Sequence, residues 1–304
     1  MSHSHHHHNH NHGHNQEFNT AFAIAALLNL IYTIVQASYA IHTHSMSLLA
    51  DAGHNLGDVC GLLMAWGASV LLTKVAAERY SYGYKKLTIL SAIANALILV
   101  FSSAIIIYES ISKLLSPVLI NEPVVMVVAA IGILVNGGTA LLFMRGREHD
   151  LNIKSAFLHL ADDALISLGV LLAAVIVHFT GWLRLDPLVG LAIVAVILWN
   201  TWGLLRHSVD LILGAVPYNV DAQAVRKYLS EIAGVTAVHD LHIWGLSTQE
   251  NALTAHLVMP EITLSDADFE RINHILKHDF KINHVTLQVE KGDTKNPCGQ
   301  ALTC

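Results

Sequence analysis

The sequence has little charge for its length. Only 13% of its 304 residues are Asp, Glu, Lys or Arg, whereas roughly a quarter of the residues in an average soluble domain are charged. Hydrophobic residues make up 53%, and they are gathered into long runs. This composition excludes an ordinary soluble enzyme and predicts an integral membrane protein that sits in a lipid bilayer.

Cationic residues are also scarce, and none occurs before Lys74. A secretory signal peptide requires a positively charged start, so the N-terminal segment is not predicted to be one. The formal net charge is −6, and acidic residues outnumber basic ones both before and after Pro217. Nucleic acid is therefore excluded as a partner, because the attraction for phosphates is missing.

Cysteine is rare, with three residues in the chain: Cys60, Cys298 and Cys304. Three cysteines cannot build a disulfide framework. Cys60 lies inside an apolar run, while Cys298 and Cys304 lie in a polar tail. We interpret the two tail cysteines as reduced thiols that face the cytosol.

Histidine, in contrast, is abundant, with 21 residues. Eight lie in the first fourteen positions, interleaved with Ser, Asn and Gly: His3, His5, His6, His7, His8, His10, His12 and His14. The interleaving favours a native segment over an engineered affinity tag. Such a tract cannot form a hydrophobic core, so we expect residues 1–17 to be a disordered cytoplasmic tail that binds divalent metals weakly.

Six apolar stretches are long enough, as helices, to cross about 30 Å of hydrocarbon. They are residues 20–41, 47–73, 87–115, 123–144, 155–179 and 187–213. The second-to-third and fourth-to-fifth loops hold most of the Lys and Arg residues that precede Pro217, which places both termini in the cytoplasm. The predicted fold is an α-helical membrane protein with a six-helix transmembrane bundle over residues 18–216.

After Pro217 the pattern changes to short helix and strand signals. Helices are predicted over residues 222–232 and 266–279, with Asp221 and Ser265 as N-caps. Strands are predicted over residues 235–244, 252–259 and 285–289, and the second of these alternates apolar and polar residues. The αββαβ order predicts a small two-layer α+β domain over residues 217–291, followed by a tail over 292–304.

Two of the apolar stretches contain the same His-x-x-x-Asp pattern, and ionisable groups at membrane depth are functional candidates. His54 and Asp58 lie in the second stretch, and His159 and Asp163 lie in the fifth. A spacing of four places both side chains on one helical face. Two imidazoles and two carboxylates form a ligand set that suits tetrahedral Zn²⁺. The alternative is ordinary hydrogen bonding between helices, which the repeated pattern disfavours.

Two further carboxylates lie close to this pattern in the sequence. Asp51 shares a helical stripe with His54, and we interpret it as orienting His54, as lining the entry path, or as capping the helix, while direct contact with the metal also stays open. Asp162 points about 100° away from Asp163 on a helix. We expect Asp162 to support the site without touching the metal.

Small and amide residues in the spans have a structural interpretation. Gly53, Gly57 and Gly61 recur every four residues and predict close helix packing, which would bring the fifth span near the second. Gln36 and Asn136 are interpreted as hydrogen-bond partners between helices rather than as metal ligands.

The C-terminal part is rich in metal-ligand residue types. His239 and His256 fall on two adjacent predicted strands, and His284 begins the third. The three imidazoles are therefore predicted to meet at one edge of the sheet. Glu290 and Cys298, which are also residue types that bind metals, follow His284 in the sequence.

Four segments in order resemble the cation diffusion facilitator family, in its zinc-exporting branch. They are SLLADAGHNLGDV, RYSYGYKKLTIL, SAFLHLADDALISLGV with the following DPLVGLAIVAVIL, and VHDLHIWGLS. The resemblance implies a homodimer of six-helix protomers, each with a ferredoxin-like cytoplasmic domain, in a bacterial inner membrane. It implies a secondary active transporter, not an enzyme, that exchanges Zn²⁺ for protons by alternating access.

The resemblance also assigns metal-binding positions. The family's transport ligands match His54, Asp58, His159 and Asp163. Its cytoplasmic metal positions, where Zn²⁺ acts as a regulatory ligand, match His239, His256, His284, Glu290 and Cys298, and the match of His284 is ambiguous with Asn283. The second-to-third loop has no Asp or His in KVAAERYSYGYKK, so no metal site is expected there.

Three alternatives remain open. The main substrate can be another divalent metal such as Cd²⁺, Co²⁺, Ni²⁺ or Fe²⁺, because the same ligand set accepts several ions. A membrane metal sensor would keep the C-terminal sites but would not need four ligands at membrane depth. An intramembrane metallohydrolase is disfavoured, because the chain contains no His-Glu pair of the kind such enzymes use.

Overall fold

The computed structural model describes residues 13–72, 79–144, 151–261 and 264–292. Within these residues the chain forms helices and strands in the following order: α1 (Gly13–Thr43), α2 (Met46–Leu72), α3 (Leu87–Leu115), α4 (Glu122–Phe143), α5 (Leu151–Thr180), α6 (Leu185–Ile212), α7 (Ala222–Ser230), β1 (Ala237–Gly245), β2 (Asn251–Val258), α8 (Asp266–His278) and β3 (His284–Glu290).

Each predicted apolar stretch corresponds to one of the helices α1 to α6. Four helices are long and apolar enough to cross a membrane: Leu87–Leu115, Glu122–Phe143, Ala156–Thr180 and Leu185–Ile212. Among the described residues, helices α1 and α2 do not belong to this set of four. A membrane domain is therefore supported, while six spans stay a prediction.

The N-terminal boundary differs from the predicted one. Helix α1 begins at Gly13, so residues 13–17, which were predicted to be disordered tail, lie in the helix. Residues 14–17 contain neither Gly nor Pro, and an existing helix extends readily over such residues.

Large apolar side chains remain exposed on the surfaces of the helices. Trp66, Phe101, Leu134, Leu165 and Trp199 each expose well over half of their surface. An apolar surface of this extent is unfavourable in water. It fits a helical surface that contacts lipid, as the composition predicts.

The chain divides into two compact units, of which the first comprises Met1–Cys60 and Ile98–Thr201. Its core is built from apolar residues of the long helices, among them Leu48, Val128, Val170 and Val194. Helix α4 begins at an Asn121 cap, and Pro123 lies in its first turn, where the missing N–H of proline costs nothing.

The glycine stripe of α2 packs against α3. A Cβ at Gly57 would clash with the Leu99 side chain, and one at Gly53 would lie 3.2 Å from Cδ1 of Ile106. Close packing is thus confirmed for these two residues, but the expected partner was wrong. The glycines allow α3, and not α5, to pack closely against α2.

The second unit comprises Gly61–Leu97 and Trp202–Cys304. Its sheet has the order β1-β2-β3. Strands β1 and β2 pair antiparallel, while β2 and β3 pair parallel and are connected through α8, since a parallel pair requires a crossover. The predicted αββαβ order and two-layer α+β class are confirmed.

The predicted helix starts of this domain are also observed. The Asp221 side chain accepts hydrogen bonds from the amides of Gln223 and Ala224, and Ser265 forms a capping box with Asp268. Strand β2 was expected to have one exposed face, yet six of its eight residues are buried. It is the central strand of the sheet, and Leu253, Ala255 and Leu257 on one of its faces belong to the core of the domain.

Candidate metal centre

Helices α2 and α5 bring both His-x-x-x-Asp pairs together inside the first unit. In each helix the His and the Asp are one turn apart, about 6 Å along the axis. His54 and Asp58 project from α2 toward His159 and Asp163 of α5. Asp163 is fully buried, whereas 45% of the His159 side chain is exposed.

The four side chains form a closed ring of nitrogen–oxygen contacts. His54 Nδ1 lies 3.6 Å from Asp58 Oδ2, and His54 Nε2 lies 3.4 Å from Asp163 Oδ1. His159 Nε2 lies 3.5 Å from Asp58 Oδ2 and 3.7 Å from Asp163 Oδ2. Each imidazole therefore faces both carboxylates.

These separations fit a bound metal ion better than hydrogen bonds. A direct N–H···O bond is normally about 2.7–3.2 Å long. Ligands about 2.0–2.1 Å from a tetrahedral Zn²⁺ would be roughly 3.3–3.4 Å apart. Three of the observed contacts use one atom from each residue, namely His54 Nδ1, Asp58 Oδ2, His159 Nε2 and Asp163 Oδ2, and at 3.5–3.7 Å they lie slightly above that edge length. The fourth contact uses the other ring nitrogen of His54, which cannot bind the same ion at the same time.

Several ligand atoms of the cluster have no hydrogen-bond partner among the described residues. They are Nδ1 of His54, Oδ2 of Asp58 and both carboxylate oxygens of Asp163, all of them buried. Leaving such atoms unpaired is costly. A divalent cation bound among them would satisfy them together.

Asp51 is buried one turn before this cluster on α2, and its carboxylate bonds to neutral groups. It accepts hydrogen bonds from Nε2 of Gln36 at 2.6 Å and from Oγ of Ser167 at 2.9 Å. The prediction that Gln36 bonds between helices is confirmed. The same prediction for Asn136 is wrong, because neither polar atom of its buried side-chain amide has a hydrogen-bond partner among the described residues. The exposed Asp162 lies outside the contacts described above, and its supporting role stays a prediction.

The N-terminus of α2 is capped by Asp186 of α6, a residue that sequence reasoning missed. Its carboxylate accepts from Oγ of Ser45 at 2.6 Å and from the Met46 amide at 2.6 Å. Asp51 lies within the helix, so the capping role considered for it belongs to Asp186. A signal existed in the Asp-Pro pair at the start of the sixth stretch, because Asp is favoured at helix starts.

A second group of ligand-type residues lies in the C-terminal domain. His239 and His256 are direct register partners across β1 and β2. Glu290, at the end of β3, lies 3.1 Å from Nε2 of His239 and 2.8 Å from Nδ1 of His256. These three residues offer ligand atoms close enough together to hold one metal ion.

Asp240 also joins this group, although it follows His239 directly in the chain. Neighbouring residues of a regular strand point to opposite faces. Here the register shifts between His239 and His242, and Asp240 has a left-handed backbone with φ of 49°. Its Oδ2 therefore lies 3.4 Å from Nε2 of His256, which a strand pattern does not reveal.

The structure does not bring His284 to this group. In the parallel register His284 lies opposite Ala252, whereas His256 lies opposite Gln288. The expectation that three imidazoles meet at one edge is therefore wrong within this chain. The exposed His284 ring instead contacts Tyr82, with 5.5 Å between ring centroids, so any metal role for it stays a prediction.

The remaining candidates are Cys298 and the histidines of the N-terminal tract. Cys298 and the histidines from His3 to His12 lie outside the described residues, and His14 lies in the first turn of α1. Their metal-binding roles stay predictions.

Two family models match consecutive parts of the chain. The cation efflux transmembrane domain matches residues 22–213, and the cytoplasmic domain of cation efflux proteins matches residues 217–292. Together with the helical membrane unit and the buried His–Asp cluster, these matches define the class. The chain is a multi-pass integral membrane protein and belongs to the cation efflux family, also called the cation diffusion facilitators.

Particular relatives narrow the comparison further. The chain is 34% identical over 264 residues to the cadmium, cobalt and zinc/H(+)-K(+) antiporter of Bacillus subtilis, covering 85% of each chain. It is 34% identical to the metal cation efflux system protein CzcD of Cupriavidus metallidurans, covering 91% of this chain and 87% of the relative. It is 32% identical to the zinc transporter ZitB of Escherichia coli, covering 85% and 83%.

Proposed function

We propose that the protein exports Zn²⁺ from the cytoplasm in exchange for protons, with His54, Asp58, His159 and Asp163 as the transport ligands. The observation that carries this proposal is the ring of 3.4–3.7 Å contacts among the four side chains. The names of the relatives, which include zinc transporter and antiporter, support the same activity.

The chemistry of the ligands supplies the coupling. Zn²⁺ binds a neutral imidazole and an ionised carboxylate, so metal and protons compete for the same groups. When the cluster faces the cytosol, the metal displaces protons. When it faces a more acidic exterior, protons displace the metal, and the inward proton gradient drives efflux.

The overall architecture is part of the proposal. Helices α1 and α2 would complete a six-span bundle with both termini in the cytoplasm of a bacterium, and two chains would form a homodimer. The C-terminal domain would take a ferredoxin-like arrangement and bind regulatory Zn²⁺ at His239, His256 and Glu290, with Asp240 as an added carboxylate. Filling these sites would tighten the dimer.

The choice of metal is the finer question. The ligand set contains no thiolate, and two nitrogens with two oxygens suit Zn²⁺ but also accept Co²⁺ and Cd²⁺. The Bacillus subtilis relative is named for all three ions. We propose Zn²⁺ as the main substrate and Cd²⁺ and Co²⁺ as secondary ones.

Substitution of one transport ligand tests the proposal. Asp58→Ala and His159→Ala should each abolish zinc-driven proton movement in proteoliposomes, because each removes one of four ligands. His178→Ala is the matched control, since His178 is exposed on the same helix and stacks only on Phe179 in the described contacts. Wild-type rates in either ligand variant would overturn the assignment.

A further inference from the structure

Asp51 is a fully buried carboxyl group that the metal centre does not use. It lies on α2, three residues before His54, and does not belong to the ring of contacts between His54, Asp58, His159 and Asp163. A buried carboxyl at membrane depth is expensive to keep and is a functional candidate for that reason.

The groups that bond to Asp51 come from three helices and are all neutral. Gln36 of α1 donates to Oδ2 at 2.6 Å, Ser167 of α5 donates to the same oxygen at 2.9 Å, and Asn55 of α2 lies 3.5 Å from Oδ1. Among the described residues no Lys or Arg pairs with Asp51.

The ionisable groups that interact electrostatically with Asp51 include Tyr32 of α1, His54 of α2 and Asp163 of α5. A buried ionised carboxylate without a cation is costly, while hydrogen bonds from neutral donors recover part of that cost. Asp51 therefore sits where both its ionised and its protonated form can be held, and the charge on the neighbouring metal site decides between them.

The amide chain beside Asp51 accommodates both forms. As described, Asn55 donates to Oε1 of Gln36 at 3.0 Å, and Gln36 donates to the ionised Asp51. If both amides turn by 180°, a protonated Asp51 donates to Oε1 of Gln36, and Gln36 donates to Asn55. The 2.6 Å contact fits this second arrangement, because O–H···O bonds are about 2.5–3.0 Å long.

We propose that Asp51 is a proton-binding group of the exchange cycle, distinct from the metal ligands. When Zn²⁺ binds at the cluster from the cytosol, its positive charge favours the ionised form, and the proton on Oδ2 is released to the cytosol. When Zn²⁺ departs to the exterior, Oδ2 takes up a proton from the exterior, and the amides of Gln36 and Asn55 turn. The inference rests on the proposed zinc–proton exchange and adds one proton to it.

Asp51→Asn tests the inference because it keeps the shape and cannot titrate. In proteoliposomes that contain the full chain, zinc flux and proton flux are measured together. We expect zinc binding to the purified variant to stay within a few-fold of wild type, while the protons moved per zinc fall by about one. Asp51→Glu restores a titratable group and should restore the ratio, even if its rate is lower.

Asp186→Asn is the matched control. Asp186 is also buried and also accepts hydroxyl and amide hydrogen bonds, but it lies at the start of α6 and caps α2. This variant should leave the ratio of protons to zinc unchanged, whatever it does to the rate. A purely structural Asp51 predicts equal ratios in all variants.

The outcomes separate the two proposals. If the wild-type protein moves no protons with zinc, the proposed function fails. If the wild type couples and Asp51→Asn couples with the same ratio, only the role of Asp51 fails. Should the Asp51 variants not fold, infrared difference spectra of the wild type and Ser167→Ala decide, because Ser167 donates to Asp51 and loss of that bond shifts the Asp51 band but not the bands of Asp58 and Asp163. Zinc must remove a protonated carboxylic acid band that Ser167→Ala shifts, and the absence of such a band would overturn the role.

Discussion

At the residue scale, the metal centre depends on how two imidazoles and two carboxylates share one small volume. Imidazole nitrogen suits Zn²⁺, whereas an all-oxygen site suits harder ions such as Mn²⁺. In the proposed site the two histidines would therefore set the preference among metals, and the two carboxylates would supply the negative charge.

His54→Asp should change the selectivity more than it changes the fold. The substitution replaces a nitrogen ligand with an oxygen ligand, so the affinity for Mn²⁺ should rise relative to that for Zn²⁺. Competition binding of the two ions to the purified protein measures this ratio. An unchanged ratio would mean that His54 does not contact the ion.

Sequence spacing was sufficient to predict that the four candidate ligands come together, because they lie on regular helices. A four-residue spacing fixes two side chains on one face whatever the surroundings. Asp240 shows the limit of this reasoning, since it reaches His256 only through an irregular strand. The hydrogen-bond partners of Asp51 could not be predicted from sequence spacing either, because Gln36 and Ser167 lie on other helices.

At the element scale, two connections hold α2 in place. The Asp186 carboxylate of α6 caps its first turn, and the chain of α2 passes very close to Gly190 of α6. A Cβ on Gly190 would lie 2.9 Å from the backbone carbon and oxygen of Met46. Backbone cannot move aside as a flexible side chain can.

Gly190→Ala should therefore destabilise the protein by about 1–3 kcal/mol, the usual cost of forcing extra atoms into a packed site. Thermal unfolding of the purified protein in detergent measures the effect. Gly138→Ala is the control, since a Cβ there meets nothing within 4 Å, and helix propensity favours alanine. Equal loss of stability in both variants would contradict the close approach of α6 to α2.

The start of α8 depends on a capping box that responds to pH. Oγ of Ser265 donates to Asp268 at 2.7 Å, and this side-chain bond, together with the Ser265 amide, holds the pKa of Asp268 below its ordinary value. A lowered pKa means that the stabilisation is complete above the unfolded value of about 3.9 and is lost as the pH falls further.

Ser265→Ala should weaken α8 by about 1 kcal/mol at neutral pH, the typical cost of losing an N-cap. The difference in α8 stability between the variant and wild type should become smaller below about pH 4, because a protonated Asp268 is a poorer hydrogen-bond acceptor. Hydrogen exchange of the α8 amides in the full chain measures both effects. Ser230→Ala, on an exposed residue at the end of α7, should change neither the stability of α8 nor its dependence on pH. If the stability difference between Ser265→Ala and wild type did not depend on pH, the Asp268 carboxylate would have no part in the cap.

At the scale of the whole molecule, the helical membrane unit, the α+β domain and the histidine-rich N-terminus have separate roles. Apolar runs and short alternating segments were enough to predict α1 to α6 and the αββαβ order, because burial imposes these periods directly. The strand register could not be predicted from the sequence, because it depends on pairing between distant segments. In the observed register His284 lies away from His239 and His256.

Removal of residues 1–12 should raise the Michaelis constant for zinc and leave the maximal rate unchanged. Tethered imidazoles near the entrance raise the local metal concentration without taking part in transport. The cut preserves α1, which begins at Gly13. A variant of normal length with His3, His5, His6, His7, His8, His10 and His12 changed to Asn should behave like the deletion, and an unchanged constant would show that the segment is dispensable.

Metal-dependent proton flux in proteoliposomes, measured with the wild-type chain across a panel of divalent ions, tests the central claim most directly. Zn²⁺ should drive proton movement in the opposite direction, Cd²⁺ and Co²⁺ should do so more weakly, and a protonophore should stop uphill zinc transport. Zinc transport that is indifferent to the proton gradient, or a flux driven better by Mn²⁺ than by Zn²⁺, would contradict it.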